Sequence, residues 1–267
     1  TERQIADAKP RIKNRSPKRS VRVGSPSFAQ AQAPYRMRVV DRDEGVEWLA
    51  SDGFVDFADA VAFMEARVAA VRAGSAAEAV WLLEHPPLYS AGTSAADDEL
   101  LDAGAIPVYR CGRGGRYTYH GPGQRVAYLM LDLKKRGGDV RAFVCALEGW
   151  VIAALGVLGV AALRRPGRIG VWVSDAEGGE AKIAAVGVRV RRWVSYHGVA
   201  INLDPDLGRF AGIIPCGLRG AAVTSLRALG ITATMADLDQ ALKASFPSAL
   251  AAGAPVFASF MGEPPPF

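Results

Sequence analysis

The chain has 267 residues, 50% of them hydrophobic and 22% charged, which excludes collagen-like, coiled-coil and wholly disordered classes. Its formal net charge of +5 is unevenly spread: residues 1–38 hold ten Lys/Arg against Glu2 and Asp7, a net of +8, leaving 22 basic and 25 acidic residues, a net of −3, over 39–267. The basicity therefore belongs to one end, and the remainder gives no reason to expect nucleic acid as a partner. Cys111, Cys145 and Cys216 are too few and too widely spaced for a disulfide framework or a zinc knuckle. They read as free thiols of a reducing, cytoplasmic protein.

In chain order, residues 1–34 come first. They are basic, polar and poor in large apolar side chains, so they are expected to be a disordered N-terminal extension. No apolar run follows the charges, which argues against a secretory signal. An anionic-surface tether and an inert extension both fit such a run, and the inert reading is the commoner. Asp56 is placed to cap a helix over 57–73, with Phe57, Ala60, Val61, Met64, Val68 and Val71 on one stripe and Gly74 as its stop. Ala79–Glu84 reads as a buried strand ended by Pro86-Pro87. Ile106–Arg110 and Val126–Leu131 read as strands flanking a glycine-rich loop.

Asp139 can cap a long helix through about Gly159, with Phe143, Val144, Leu147, Val151, Leu155 and Leu158 inward. The uncharged run Gly149–Leu163 is fifteen residues long. That falls short of the roughly 18–20 needed to span a bilayer, so a buried helix and no membrane contact are expected. Ile169–Val173, Ile183–Arg191 and Ser195–Leu203 follow as strands, with a turn at Gly178-Gly179. Val186, Val188 and Val190 alternate with Gly187, Arg189 and Arg191, a half-buried antiparallel pattern. A last helix fits 235–246, with Thr234 and Asp237 spaced as a capping box. Strands cluster into meanders rather than alternating with helices. The expected class is α+β, a mixed, largely antiparallel sheet with packed helices.

Chemistry concentrates in few places. Segment 112–124, GRGGRYTYHGPGQ, has five glycines among thirteen residues, with Tyr117, Tyr119 and His120 interleaved. Such a loop lets backbone N–H groups approach a ligand closely; its spacing matches neither nucleotide-phosphate motif. Cys216, between Pro215 and Gly217, sits on a turn that exposes a thiol, whereas a lone cysteine is more often a small buried hydrophobe. Cys145, on the amphipathic helix, is that plainer case, and Cys111 fits either. Lys182 opens a strand of small and apolar residues, which suits proton transfer if the lysine is dry; taken alone, a solvated strand end is commoner. His85, His120 and His197 lie near loops or strand ends, and their spacing matches no zinc ligand set, so no metal is expected.

Arg113–Gln124 (RGGRYTYHGPGQ), Lys182–Arg192 (KIAAVGVRVRR), Tyr196–Asn202 (YHGVAIN) and Ile214–Gly217 (IPCG) resemble, in order, the four signature blocks of the lipoyl(octanoyl) transferases. LEHPP at Leu83–Pro87, followed by Leu88-Tyr89, is similar too. The likeness spans about residues 35–250 and implies that 35–267 form the catalytic domain. It implies a fold like that of the biotin and lipoate protein ligases. It also implies a reaction: octanoyl leaves the phosphopantetheine of acyl carrier protein, joins an enzyme cysteine as a thioester, and passes to a lysine of a lipoyl domain. The acceptors would be the 2-oxo acid dehydrogenase complexes and the glycine-cleavage H protein. No ATP or other cofactor is implied. Carried over by position, Cys216 is the nucleophile and Lys182 stabilises its thiolate, takes its proton and returns it to the leaving thiol. Arg113, Gly114, Gly115, Arg116, Tyr117, Thr118, Tyr119 and His120 line the acyl pocket, with Ala185, Val186, Gly187, Gly198, Val199 and Ala200. Ala185 stands where some relatives carry serine, and Arg116 and Tyr117 fall at variable positions.

Thioester-to-thioester exchange is near neutral and thioester-to-amide transfer is downhill, consistent with a reaction that needs no ATP. The Gly217-Leu218 backbone after the nucleophile is suited to donate to a tetrahedral oxyanion. Three other readings remain open at this point. One is an ATP-dependent lipoate or biotin ligase on the same fold. Another is a non-catalytic module binding acyl carrier protein or lipoyl domains, and the third is a cysteine hydrolase.

Overall fold

The computed structural model describes residues 35–43, 45–174, 179–215, 220–246 and 250. Valine-, leucine- and tryptophan-rich runs pair there into two sheets. The strands are β1 (Arg36–Asp43), β2 (Val46–Phe54), β3 (Glu78–Glu84), β4 (Leu88–Ala91), β5 (Val108–Arg110), β6 (Tyr117–His120), β7 (Gln124–Met130), β8 (Ala162–Arg165), β9 (Arg168–Ser174), β10 (Glu180–Arg191), β11 (Val194–Asn202) and β12 (Ala222–Val223). The larger sheet runs β1-β2-β3-β7-β11-β10-β9-β8, with β12 alongside β10; the smaller runs β5-β4-β6. Pairing is antiparallel except for β2–β3, β4–β5 and β10–β12. The α+β, largely antiparallel expectation therefore holds.

Among the described residues, three α-helices of ten residues or more pack on the larger sheet. In α1 (Phe57–Arg72), Asp56 caps the first turn by accepting from the Ala58 N–H, and Phe57, Ala60, Met64 and Val68 face inward. In α2 (Val140–Val157), Asp139 accepts from the N–H groups of Arg141 and Ala142. In α3 (Met235–Ala244), Thr234 and Asp237 form the expected capping box. Each cap offsets orphan N–H groups and contributes about 1 kcal/mol. One face of the sheet packs its core on α2 and α3, through Leu147, Trp150, Val151, Leu238 and Leu242. The other face packs on α1, around Trp81, Val126, Tyr128 and Ala200. Burying each large apolar side chain favours folding by roughly 1.5–3 kcal/mol, and these two layers carry most of that gain.

Several boundaries differ from the sequence reading. The strand expected at 106–110 is only Val108–Arg110, and the helix expected to 246 ends at Ala244. Strands β1, β2, β4, β8 and β12 have no counterpart in the sequence reading, and β6 lies within the segment expected to be a glycine-rich loop. The turn expected at Gly178-Gly179 lies, in its first glycine, outside the described residues. Helix α2 starts nine residues before the uncharged run and is, at 18 residues, long and apolar enough to cross a membrane; half of it is buried against the sheet.

Candidate active site

Strict alternation along β10 would put Lys182 on the opposite face from Ala185 and Gly187. The backbone does otherwise. Against β9, Lys182 pairs with Trp172 and Ala184 with Val171, so Ile183 is a surplus residue, a β-bulge. Ile183 and Ala184 both turn into the core shared with α2. Lys182 is thereby left on the face that carries Ala185 and Gly187, and all three line one cavity of about 550 Å³. Lys182 is 5% exposed, a buried lysine rather than a solvated strand end.

The surroundings of Lys182 fix its ammonium. Nζ donates to the Ile169 carbonyl at 2.8 Å and lies 4.8 Å from the centre of the Trp172 ring. Gly170, between those residues, has φ +122°, where a side chain is strained, and a Cβ there would come within 3.2 Å of Nζ. Glu148 of α2 accepts from the Gly170 N–H at 2.7 Å and holds this turn in place. Burial raises the Glu148 carboxyl above its ordinary value, against the opposing pull of that N–H and of Arg164 and Lys182.

The glycine loop forms another wall. Arg113 is buried, and its guanidinium donates to Ser90 O at 2.7 Å, Ser90 Oγ at 2.8 Å, Arg116 O at 3.0 Å and Gly114 O at 3.0 Å. The cation is spent on its own loop, a fork-shaped clamp. Gly114 N–H donates to Val188 O at 2.8 Å and ties the loop to β10. At Gly187 the approach is so close that a Cβ would lie 3.2 Å from Arg113 Cδ. Arg116 is paired with the buried Glu99.

A polar chain runs beneath. Ser90 Oγ meets His120 Nε2 at 3.1 Å, His120 Nδ1 meets Gln124 Oε1 at 2.7 Å, and Gln124 Nε2 donates to Asn202 Oδ1 at 2.9 Å. Asn202 Nδ2 donates to Thr224 O at 2.9 Å, and Thr224 N–H donates to Lys182 O at 3.0 Å. Since Gln124 Oε1 only accepts, His120 Nδ1 carries the proton. Burial lowers the pKa of all three histidines: His85 to about 4, His197 to about 3, and His120 well below its usual value, with Arg113 and neighbouring histidines adding to the shift of His120.

Of the residues singled out in the sequence, the structure gathers Lys182, Arg113, Gly114, Gly115, Arg116, Tyr117, Thr118, His120, Ala185, Val186, Gly187, Gly198, Val199 and Ala200 around the one cavity. Tyr119 is not brought there; its ring packs with Tyr89 and Phe210 under the smaller sheet. His197 lies within β11, at φ +59°, and not at a strand end. Cys216 lies outside the described residues. The chain is anchored on both sides of it: Ile214 N–H donates to Glu99 O at 2.8 Å, and Val223 pairs with Lys182. Cys111 is half-buried beside Ala91 O, and Cys145 is half-buried on α2. Among the described residues no three His, Cys, Asp or Glu side chains are grouped to hold a metal ion. Sequence reasoning missed Phe57, Val126, Tyr128, Val140 and Ile169, all of which line the cavity. A stripe position and alternating strand residues look like ordinary core, and only their position at the glycine loop marks them.

Comparison with known proteins agrees with this architecture. Residues 56–247 match the model of the lipoyl protein ligase A/B catalytic domain. An octanoyltransferase of Paramagnetospirillum magneticum is 61% identical over 78% of this chain and 98% of its own length. One from Rhizorhabdus wittichii is 60% identical over 78% of this chain and 93% of its own. Among solved structures, a bipartite lipoate protein ligase from Thermoplasma acidophilum superposes with a TM-score of 0.55 at 17% identity, covering 74% of this chain and 82% of that one. A lipoate-protein ligase A bound with ATP superposes with a TM-score of 0.54 at 16% identity, covering 70% and 79%. The structures share the fold; the sequences go further, and they place this chain in the lipoyl protein ligase A/B catalytic-domain family and, within it, among the octanoyltransferases, which are acyltransferases.

Proposed function

We propose that this chain moves an octanoyl group from the phosphopantetheine of acyl carrier protein to a lysine of a lipoyl domain, through a thioester on Cys216. The observation that carries this reading is the register of β12: Val223, seven residues after Cys216, pairs with Lys182, so a short tether links the sulfur to the ammonium. The Cys216 thiolate, stabilised by that ammonium, attacks the thioester carbonyl. Its new C–S bond forms as the pantetheine C–S bond breaks, and Lys182 returns the proton to the leaving thiolate. The acceptor amine then attacks the enzyme thioester; the C–N bond forms, the Cys216 C–S bond breaks, and Lys182 passes the amine proton to the sulfur. The Gly217-Leu218 N–H groups serve the oxyanion of each step. The activation energy arrives in the donor thioester, so no ATP or cofactor takes part.

Residues 35–267 are in this reading the catalytic domain, 1–34 a dispensable basic extension, and the cytoplasm the site of action, with neither membrane nor nucleic acid as partner. Acceptors are the lipoyl domains of 2-oxo acid dehydrogenase complexes and the glycine-cleavage H protein. Intact-mass measurement after mixing with octanoyl-acyl carrier protein tests the reading. An eight-carbon adduct labile to hydroxylamine, absent from Cys216→Ser and discharged by a lipoyl domain, is expected. Transfer from free octanoate with ATP by Cys216→Ala would replace it with a ligase. A competent sample that gains no mass would favour a binding module, and discharge without an acceptor a hydrolase.

A further inference from the structure

We propose that the rings of Phe57, Tyr128, His120 and His197 form an end stop that limits the acyl chain to about eight carbons, with Phe57 as the residue that sets the length. The proposal rests on the acyl-transfer reading. The cavity is unlike at its two ends. At one, its lining residues Val140 and Ile169 are 39% and 58% exposed. At the other, Phe57, Tyr128, His120 and His197 are between 2% and 6% exposed and lie ring against ring. Phe57 stacks on His197 at 6.3 Å and on His120 at 6.5 Å, and Tyr128 meets His197 edge-on at 5.7 Å.

Distance along the sheet fits the chain. Tyr128 is level with Gly198, and Gly198 with Gly187, five residues beyond Lys182 on β10. Because Ile183 is surplus, this is four ladder steps at about 3.3 Å each, about 13 Å of strand. An extended eight-carbon chain, with seven bonds of about 1.5 Å at tetrahedral angles, takes about 9 Å of it. The thioester group and the lysine head occupy the rest. The walls between are small: Ala185, Gly187, Gly198 and Ala200.

The stop is rigid. His85 Nδ1 bonds to Val55 O at 2.6 Å and its Nε2 to Tyr128 Oη at 2.7 Å, while His120 is held by Ser90 and Gln124. The imidazoles are uncharged near neutral pH, so their faces suit a methyl end. Phe57 alone among the four rings has no polar atom to satisfy, and it opens α1 immediately after the Asp56 cap. Its size is therefore the element that can vary without orphaning a partner.

Acyl carrier protein loaded with hexanoyl, octanoyl, decanoyl or dodecanoyl groups, and a lipoyl domain as acceptor, provide the test for the full chain and its Phe57→Ala, Phe57→Leu and Phe57→Trp variants. A buried methylene changes binding about fourfold. The decanoyl-to-octanoyl ratio of kcat/KM should accordingly rise about tenfold in Phe57→Ala and in the same direction in Phe57→Leu, which keeps apolar bulk if the alanine variant misfolds. Phe57→Trp should shift preference toward hexanoyl. An unchanged ratio in a folded variant that still transfers octanoyl, or shifts of the same sign in Phe57→Leu and Phe57→Trp, would overturn the end stop. If the wild-type chain transfers no acyl group at all, the parent reading fails instead.

Discussion

Lys182 and Trp172 face one another across β10 and β9, with the ammonium 4.8 Å from the centre of the indole ring. The ring takes the place of water on one side of the charge, and the Ile169 carbonyl accepts on another. Both contacts help a buried cation to be tolerated away from bulk water. Lys182→Met preserves the volume and removes the charge. We expect transfer to fall by about 100-fold or more while the melting temperature stays close to wild type. Turnover with octanoyl-acyl carrier protein, measured beside a thermal melt, checks this; equal turnover would remove Lys182 from the mechanism.

Gly170→Ala disturbs the same point from the other side. The new Cβ meets Ala184 O at 2.8 Å and Lys182 Cε at 3.1 Å, at a φ of +122°. The backbone strain costs roughly 1–3 kcal/mol. Stability should drop by that amount and activity by more than the unfolded fraction explains, because Lys182 must shift. Urea titration and kinetics at full occupancy of the folded state separate the two; a loss of stability with unchanged turnover would contradict it.

Arg113→Lys is a conservative change in charge only. One ammonium cannot span Ser90 and the carbonyls of Gly114 and Arg116 as the guanidinium does. Unmaking these buried bonds costs about 1–3 kcal/mol. The glycine loop should loosen and KM for the acyl donor rise about tenfold, with kcat less affected. Hydrogen exchange at residues 112–116 would report the loosening, and unchanged protection there would refute the clamp.

Stability should depend on pH through the buried histidines. Their folded pKa values lie below the ordinary 6.5, His85 at about 4 and His197 at about 3. Below pH 6.5 the unfolded chain takes up protons that the folded chain refuses. The stabilisation is thus complete above pH 7 and is lost as pH falls from 6.5 toward 4, by about 3 kcal/mol for His85 alone. Glu148 and Asp239, both raised by burial, act in the opposite sense nearer the carboxylate range. Urea midpoints at steps from pH 8 to 5 should therefore fall below pH 6.5, and a flat profile would show the rings to be accessible to protons.

What the sequence made legible was local. Asp56, Asp139 and the Thr234–Asp237 pair marked helix starts because a cap bonds within its own first turn. The edge strands β1 and β8 escaped because arginines and aspartates interrupt their apolar pattern, as strands with an unpaired side tend to show. The glycine loop and Lys182 stood out by composition. Phe57 and Tyr128 did not, since an aromatic on an apolar stripe reads as core until a cavity is seen beside it. Tyr119, chosen with its neighbours in one block, is taken up instead by the rings of Tyr89 and Phe210, a long-range contact that the local sequence does not show.

The surplus residue at Ile183 has an evolutionary corollary. It makes the count of residues between Lys182 and Ala185 matter more than their identity. Valine for Ile183 would cost only about 0.5–1.5 kcal/mol, whereas deleting a residue of that stretch would rotate the amine into hydrocarbon and leave every glycine untouched. Drift in this gene is free to rewrite the letters there and barred from shortening the word.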